Sequence, residues 1–305
     1  MIKSITITNF LGEELKVTLT EAMPSHGLLV RSIEGLGPVK ANISTTDLST
    51  ADGSVYNSSR LDERNIVINF LFFGNPLIED ARQLTYKYFP LKKELTFKIE
   101  TDNRVAEAYG YVESNEPDIF SEQEGCQISI ICPDQFFYSA SEDEKNWTVF
   151  SGIEALFEFP FSNEDLHGHL IEFGSIENAT ERTIYYEGDT DVGIIMYIHA
   201  IGEVGTITIY NTLTRESMII DADKIASLTG SRIKAGDDII INTNRGQKSV
   251  YLLRSGVYTN ILNALGRDAD WFVISKGDNV FTYIADSGSS NLLFRIYGRT
   301  IFEGV

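Results

Sequence analysis

Two histidines one residue apart are the strongest candidates for metal chemistry in this sequence. His167 and His169 would share one face of a strand, because side chains alternate, and two imidazoles on one face can supply half of a metal site. Glu164 and Asp165 are close by, but no cysteine lies near enough to complete a zinc set. We interpret the pair as part of a solvated loop.

Two short acidic clusters could bind calcium through carboxylate oxygens. Asp189 and Asp191 form one, and Asp221 and Asp223 form the other. Neither has the twelve-residue spacing with a terminal glutamate that an EF-hand requires. Acidic turns in an acidic protein account for both, so the sequence predicts neither a metal nor a cofactor.

Motifs of the common enzyme classes are missing from the sequence. It contains no G-x-S-x-G, H-E-x-x-H, P-loop or dinucleotide-binding fingerprint. Paired carboxylates for glycoside hydrolysis are a spatial arrangement, and the sequence selects no pair. We therefore name no catalytic residue and predict a protein that is not an enzyme.

A set of aromatic residues with an exposed character leaves one binding function open. Such rings can stack against sugars, although strand aromatics more often belong to the core or to subunit contacts. The residues are Tyr56, Tyr109, Tyr111, Trp147, Tyr185, Tyr186 and Trp271. A carbohydrate-binding module is therefore the alternative function.

Length and charge limit the other possibilities. The chain has 305 residues, 43% of them hydrophobic, which suggests two soluble domains of ordinary size. Its formal net charge of −19 repels phosphate backbones and argues against nucleic-acid binding. We see neither a signal peptide nor an apolar run long enough to span a membrane.

The two cysteines indicate buried thiols. Cys126 and Cys132 fall on the same face of one predicted strand, about 20 Å apart at ~3.3 Å per residue, which is too far for a disulfide. Free buried thiols fit a reducing compartment of synthesis.

Strand patterns dominate the first half of the chain. Residues 2–8 and 15–19 alternate and predict a hairpin; short strands follow at 30–33 and 39–43, and 66–72 predicts a strand buried on both faces. The polar stretch 44–64 predicts an extended hairpin or a binding segment. One helix is predicted over 76–89, with Asn75 as N-cap and an apolar face made of Leu77, Ala81, Leu84 and Tyr88.

The stretch 95–140 closes the first domain. It predicts two strands, an acidic loop from Glu113 to Glu124, and a last strand that stops at Pro133, which cannot donate to a sheet ladder. The polar acidic run 139–146 then predicts a boundary, with domains at 1–140 and 141–305.

The second half predicts a β-sandwich or jelly roll. Its strand candidates are short and separated by glycine-rich turns, with helical turns at 223–228 and 259–265. The candidate strands are 156–161, 170–173, 183–186, 193–200, 206–210, 218–221, 238–242, 250–254, 271–275, 281–285 and 292–297.

Several stretches resemble the distal tail proteins (Dit) of siphophages that infect Gram-positive bacteria. LTFKIETDNR, YGYVESNEPDIFSE and QISIICPDQFFYS resemble the first domain, and DGSVYNSSRLDERNIVI resembles its N-terminal strand region. The last 35 residues, from WFVISKGDNVF to GRTIFEGV, are similar to the end of the same family. Their order and spacing extend the resemblance over nearly the whole chain.

The resemblance implies both a fold and a role. The fold is mainly β: an N-terminal β-sandwich with one α-helix and a protruding hairpin, then a C-terminal galectin-like or jelly-roll β-sandwich. Six copies would form a ring at the virion tail tip, after synthesis in the host cytoplasm. The ring would join the tail tube and tape measure to a tail-associated lysin or fibre protein, and in some phages it holds receptor-binding proteins.

The second domain departs from the galectin pattern in one respect. The family's sugar-binding set of His, Asn, Arg, Trp and Glu is not visible at its usual spacing. A galectin-like fold therefore does not by itself predict sugar binding. A carbohydrate-binding module that recognises host cell-wall glycan through the C-terminal sandwich is the alternative function.

We expect the ring contacts to involve the segment 52–64. A closed ring uses a heterologous interface, in which one patch meets a different patch on the neighbour. Cations on one patch would suit carboxylates on the other. The predicted interface residues are Tyr56, Asn57, Arg60, Arg64, Glu113, Glu116 and Asp118.

Overall fold

A computed structural model describes residues 1–19, 26–49, 52–74, 77–140, 147–149, 153–154, 175–176 and 181–305. The chain divides into two compact units. The first is Met1–Lys145 together with Ile301–Val305, and the second is Asn146–Thr300. Among the described residues, no helix is long and apolar enough to cross a membrane.

The first unit is an antiparallel β-sandwich with one helix. Its main sheet has the order β2-β1-β7-β8-β9-β6-β3, and β10 pairs with β8. The strands are β1 Ile2–Thr8, β2 Glu14–Thr18, β3 Leu28–Glu34, β4 Ala41–Asp47, β5 Ser54–Leu61, β6 Arg64–Phe72, β7 Glu94–Thr101, β8 Val105–Asp118, β9 Gly125–Cys132 and β10 Phe137–Ser139.

Alternating apolar residues build the core of this unit. Ile5, Ile66, Ile68 and Ile130 are completely buried. The prediction that 66–72 is buried on both faces is wrong, because every second residue of β6 is partly or fully exposed. The sheet thus buries one face of β6 and leaves the other face partly exposed.

The helix, α1, is shorter than predicted. It runs over Ile78–Tyr88, starts without a side-chain cap and ends before Pro90. Asn75 and Pro76 lie outside the described residues. Leu77 is 62% exposed and so does not belong to the apolar face. The residues that the helix buries are Ala81, Thr85 and Tyr88.

Half of the predicted acidic loop is strand. β8 continues to Asp118, and its end pairs with β9 through Glu116 opposite Gln127 and Asp118 opposite Gly125. Only residues 119–124 connect the two strands. Acidic residues and proline are depleted in strands, but pairing with the buried strand β9 overrides that preference.

The second unit is a β-sandwich of two antiparallel sheets. One has the order β11-β24-β16-β19-β20-β21 and the other β14-β23-β17-β18; the short pairs β12-β13 and β15-β22 complete it. The strands are β11 Trp147–Val149, β12 Ile153–Glu154, β13 Ser175–Ile176, β14 Glu181–Tyr186, β15 Val192–Gly193, β16 Ile195–Ala200, β17 Ile207–Asn211, β18 Glu216–Ile220, β19 Asp237–Asn242, β20 Ser249–Arg254, β21 Val257–Asn260, β22 Val273–Ile274, β23 Gly277–Ala285 and β24 Leu292–Gly298.

An aromatic contact joins the two sheets of this sandwich. Tyr283 of β23 stacks on Phe294 of β24, with ring centroids 5.2 Å apart. The sequence predicted nine of these strands to within a few residues but missed β11, β12, β13, β15 and β21. The predicted strands 156–161 and 170–173 lie outside the described residues. The helical turns predicted at 223–228 and 259–265 are helix α2, Ala222–Thr229, and a 3-10 turn, Leu262–Ala264.

The last strand of the chain returns to the first unit. β25, Ile301–Phe302, pairs with β10 and not with a strand of the second sandwich. The backbone N–H of Val305 donates to the carbonyl of Leu36 at 3.0 Å. The last five residues of the chain therefore belong to the first compact unit.

Candidate assembly interface

The hairpin β4–β5 is the most exposed element of the first unit. All seven residues of β4 and all eight of β5 are exposed, and the two strands form a sheet of their own. Several apolar side chains of the hairpin are exposed to solvent: Ile43 is 60% exposed, Val55 47% and Tyr56 61%. An extended hairpin was predicted here, and the structure confirms it.

Local hydrogen bonds hold the hairpin but do not bury it. Asn57 Nδ2 donates to Thr46 Oγ1 at 2.7 Å, and the hydroxyls of Tyr56 and Ser59 lie 2.8 Å apart. A single two-stranded ribbon is marginally stable in water. Both its edges also present unpaired backbone groups that can bind another chain. The hairpin therefore has the properties of an element that gains stability from a partner.

The two arginines predicted to act together have different environments. Arg60 lies on the hairpin, 75% exposed, with Nη2 3.4 Å from Oδ1 of Asp62. Arg64 is 1% exposed at the start of β6. The prediction that Arg64 faces a neighbouring subunit is wrong, because its side chain is enclosed by its own unit.

Arg64 joins three distant segments through their carbonyl groups. Its guanidinium donates to the carbonyls of Gly35, Gly37, Gln135 and Glu303, the last three at 2.7 Å. Burial lowers the pKa of Arg64 from its ordinary value, yet a guanidinium remains protonated in proteins. The side chain is a structural centre that fixes the loops at one end of the first unit.

The predicted acidic residues lie at the far end of β8. Glu116 and Asp118 are exposed, while Glu113 accepts a hydrogen bond from Ser129 Oγ at 2.8 Å. Phe120 follows them on the connection to β9 and is 96% exposed. Phe120 was not predicted from the sequence, although a phenylalanine among acidic residues is a signal that could have identified it.

The two predicted sets therefore occupy separate elements of one chain. Tyr56, Asn57 and Arg60 lie on β5, and the carboxylates lie on β8. This arrangement is what a heterologous interface requires, since each set would meet the other set on a neighbour.

The cysteines have no chemistry at this surface. Both are free and buried, as the strand pattern predicted. Burial raises the pKa of Cys126 to about 12 and that of Cys132 to about 11. Thiols with such values stay protonated at neutral pH and are inert.

The candidate metal sites remain without support. Within the described residues, no three His, Cys, Asp or Glu side chains come together to hold a metal ion. Asp221 instead caps helix α2, accepting from the backbone N–H groups of Asp223 and Lys224. His167 and His169, with Glu164 and Asp165, lie outside the described residues.

The aromatic residues proposed for sugar stacking lie on several different elements. Tyr56 is on the hairpin, Tyr109 and Tyr111 are on β8, and Tyr185 is on β14. Tyr186 is 1% exposed and belongs to the core, which corrects its prediction as a surface residue. Trp271 lies under Lys248 Nζ at 5.3 Å, and the side chain of Trp147 lies outside the description.

Comparison with solved structures shows that this chain shares the fold of a distal tail protein. The solved structure of SPP1 Dit, described as a paradigm of the hub adsorption apparatus of phages that infect Gram-positive bacteria, matches 98% of this chain and 99% of its own, with a TM-score of 0.62 and 11% identity. The distal tail protein fold expected from the resemblance is thereby confirmed.

Two structures of the phage P2 baseplate in its activated conformation, with Ca and with Sr, align less closely. The first covers 100% of both chains with a TM-score of 0.45 and 11% identity, and the second 97% of both with 0.43 and 12%. These scores are too low to bear on the fold. No protein-family model matches the sequence, and no curated protein sequence matches it.

Proposed function

We propose that this chain is a structural hub of a phage tail tip, in which six copies close into a ring. The ring joins the tail tube and tape measure to a tail-associated lysin or fibre protein, and it carries receptor-binding proteins in virions that use them. The protein acts by assembly and not by catalysis. Host cytoplasm is its place of synthesis and the virion tail tip its final location.

The exposed hairpin is the observation that carries the proposal. All strand residues of this hairpin are exposed to solvent, and several of them are apolar. Such an element needs a partner surface. In a ring, each protomer would lay its hairpin against the next one. The distal tail fold over almost the whole chain supports the choice of a second copy as that partner.

Charge would align neighbouring copies within the ring. Arg60 on the hairpin would meet the carboxylates of Glu116 and Asp118 at the end of a neighbour's β8. Exposed pairs of this kind contribute little to affinity but favour one register. The apolar residues Ile43, Val55 and Tyr56 would supply most of the stabilisation.

Electron microscopy of the purified protein over a concentration series tests the ring. Six-fold rings with a central channel are expected for the wild type. The double variant Ile43→Asp/Tyr56→Asp should remain monomeric, since charges in the hairpin interface would be desolvated. Both positions are exposed, so the variant should fold normally.

A matched control separates this effect from general surface damage. Tyr185→Asp changes a tyrosine that is 67% exposed on the second unit and should leave the rings intact. Rings that persist in the hairpin variant would reject the interface. Monomers at every concentration of the wild type, also with a tail-associated protein added, would reject the ring itself.

A further inference from the structure

The outer face of the six-stranded sheet in the second unit carries a row of rings and polar groups. Registers place Arg295, Tyr197, Ile240, Tyr251 and Asn260 directly opposite one another across β24, β16, β19, β20 and β21. Residues directly opposite in a sheet share a face. Their neighbours along each strand point inward and are mostly buried, so this row faces solvent.

Tyrosine pairs fix the rings on this face. Tyr197 meets Tyr297 edge-to-face with centroids 5.1 Å apart, and Tyr251 meets Tyr258 in the same way at 6.5 Å. Tyr258 is 62% exposed, Tyr197 39% and Tyr251 36%. Each ring is thus held by its partner while part of it remains open to a ligand.

Polar side chains lie between and beside the rings. His199 Nδ1 is 2.7 Å from Oδ1 of Asp238 in the adjacent row. Because an ionised carboxylate can only accept, the imidazole donates Nδ1–H to Asp238. Arg295 and Asn260 are exposed at the two ends of the tyrosine row and supply donors.

The charge of this face differs from that of the chain. The formal net charge is −19, yet Asp238 is the one acidic residue among the outward positions of these five described strands, and His199 engages it. An uncharged ligand therefore meets little repulsion and needs no counter-charge. A basic partner would find almost nothing to pair with here.

The spacing of the rings indicates the shape of the ligand. Tyr197 and Tyr251 are two strands apart in one row, or about 10 Å at ~4.8 Å per strand. That is close to the length of two β-1,4-linked pyranose rings in an extended chain. The C–H groups of a pyranose pack on the negative face of an aromatic ring, while its hydroxyls need donors and acceptors nearby.

We infer that this face binds an uncharged, extended β-1,4-linked glycan chain, which lies across the strands from Arg295 to Asn260. The site uses none of the tyrosines or tryptophans predicted from the sequence. It is independent of the hexameric ring, because every residue that forms it lies in the second unit of one chain.

Retention of the full-length protein on immobilised polysaccharides tests this site. The probes are cellulose, chitin and β-1,4-mannan, with an α-linked glucan as the linkage control. Wild-type protein should be retained on at least one β-1,4-linked probe. The variant Tyr197→Ala/Tyr251→Ala should bind it about tenfold more weakly or worse, as expected when central aromatic contacts are truncated.

A matched pair on the opposite sheet provides the control. Tyr185 and Tyr210 are also exposed, on β14 and β17, and Tyr185→Ala/Tyr210→Ala should bind like the wild type. Thermal unfolding checks that both double variants are folded, and particle size checks the ring separately. Absence of retention on every β-1,4-linked probe overturns the inference. Retention that survives loss of Tyr197 and Tyr251 overturns it as well.

Discussion

The guanidinium of Arg64 lies over the ring of Phe137, 4.1 Å from the ring centroid. The same group donates to carbonyls of residues 35, 37, 135 and 303, so one side chain joins β6, β10 and the end of the chain. Burying a charge is costly unless its hydrogen bonds are satisfied, and here carbonyl oxygens satisfy them. Arg64 therefore stabilises the first unit although it forms no short-range ion pair with any residue that the structure describes.

Arg64→Met should destabilise the first unit strongly. It removes the donors of several enclosed carbonyls, and the loss should be about 3–5 kcal/mol, as for other broken buried networks. Arg60→Met is the matched control: its side chain is 75% exposed, so the change should stay within about 0.5 kcal/mol. Calorimetry of both variants measures the effect. Equal transitions in the two variants would contradict the structural role of Arg64.

The pairing of β25 with β10 should stabilise the first unit as much as a core strand does. Phe302 is 4% exposed and lies under the guanidinium of Arg104, with its ring centroid 4.4 Å from Cζ. Phe302→Ala should cost about 3–5 kcal/mol. Phe120→Ala removes the same ring from a site that is 96% exposed, and it should be nearly neutral. Urea unfolding of the two variants compares them; similar midpoints would mean that β25 contributes little.

A buried ion pair gives the second unit a specific acid response. Arg254 donates Nε and Nη2 to the two carboxylate oxygens of Asp237, at 2.8 and 2.6 Å. Burial alone would raise the pKa of Asp237, but the bonds from Arg254 and the backbone N–H of Lys234 outweigh burial and lower it. A depressed pKa in the folded state stabilises the fold above the unfolded value of about 3.9 and loses that contribution as pH falls through the folded pKa.

The free energy of unfolding of the Asp237→Asn variant should therefore differ less from that of the wild type at acidic pH than at pH 7. At pH 7 the variant should be about 1.5–3 kcal/mol less stable, because charge-assisted hydrogen bonds become neutral. Below about pH 4 the difference should shrink, since the wild-type carboxylate becomes protonated too. Thermal unfolding from pH 7 to pH 3 follows the difference. A gap that stays constant to pH 3 would show that this carboxylate does not titrate as described.

The thiols should resist modification in the native protein. With pKa values raised by burial to about 12 and about 11, Cys126 and Cys132 carry almost no thiolate at pH 8. An aromatic disulfide reagent should react with both only after denaturation. Ser58→Cys, on the exposed hairpin, should react at once and serves as the positive control. Rapid native labelling without that substitution would contradict the burial of the two cysteines.

Strands were predictable because their burial alternates over a few residues. The hairpin 2–19, the strand Gly125–Cys132 and most strands of the second sandwich follow directly from that local pattern. The protruding hairpin was predictable for the opposite reason, since a long polar stretch has no apolar face to bury.

The environment that distant segments create around a residue was not predictable from the sequence. Arg60 and Arg64 are four residues apart and look alike in the sequence, but the carbonyls that enclose Arg64 come from residues 35 to 303. The tyrosine row also depends on strand order, because β24 lies beside β16 and β16 beside β19. Neither neighbour relationship has a local signal.

During synthesis, Arg64 is made well before Glu303, whose carbonyl accepts one of its hydrogen bonds. Glu303 follows the entire second unit in the sequence, so a ribosome that adds about 5–20 residues per second reaches it on the order of ten seconds or more after leaving the first unit. Until then β10 lacks the strand that pairs with its open edge. A chain that lacks residues 301–305 thus cannot complete the first unit, so the first unit finishes folding only after the second unit has been translated.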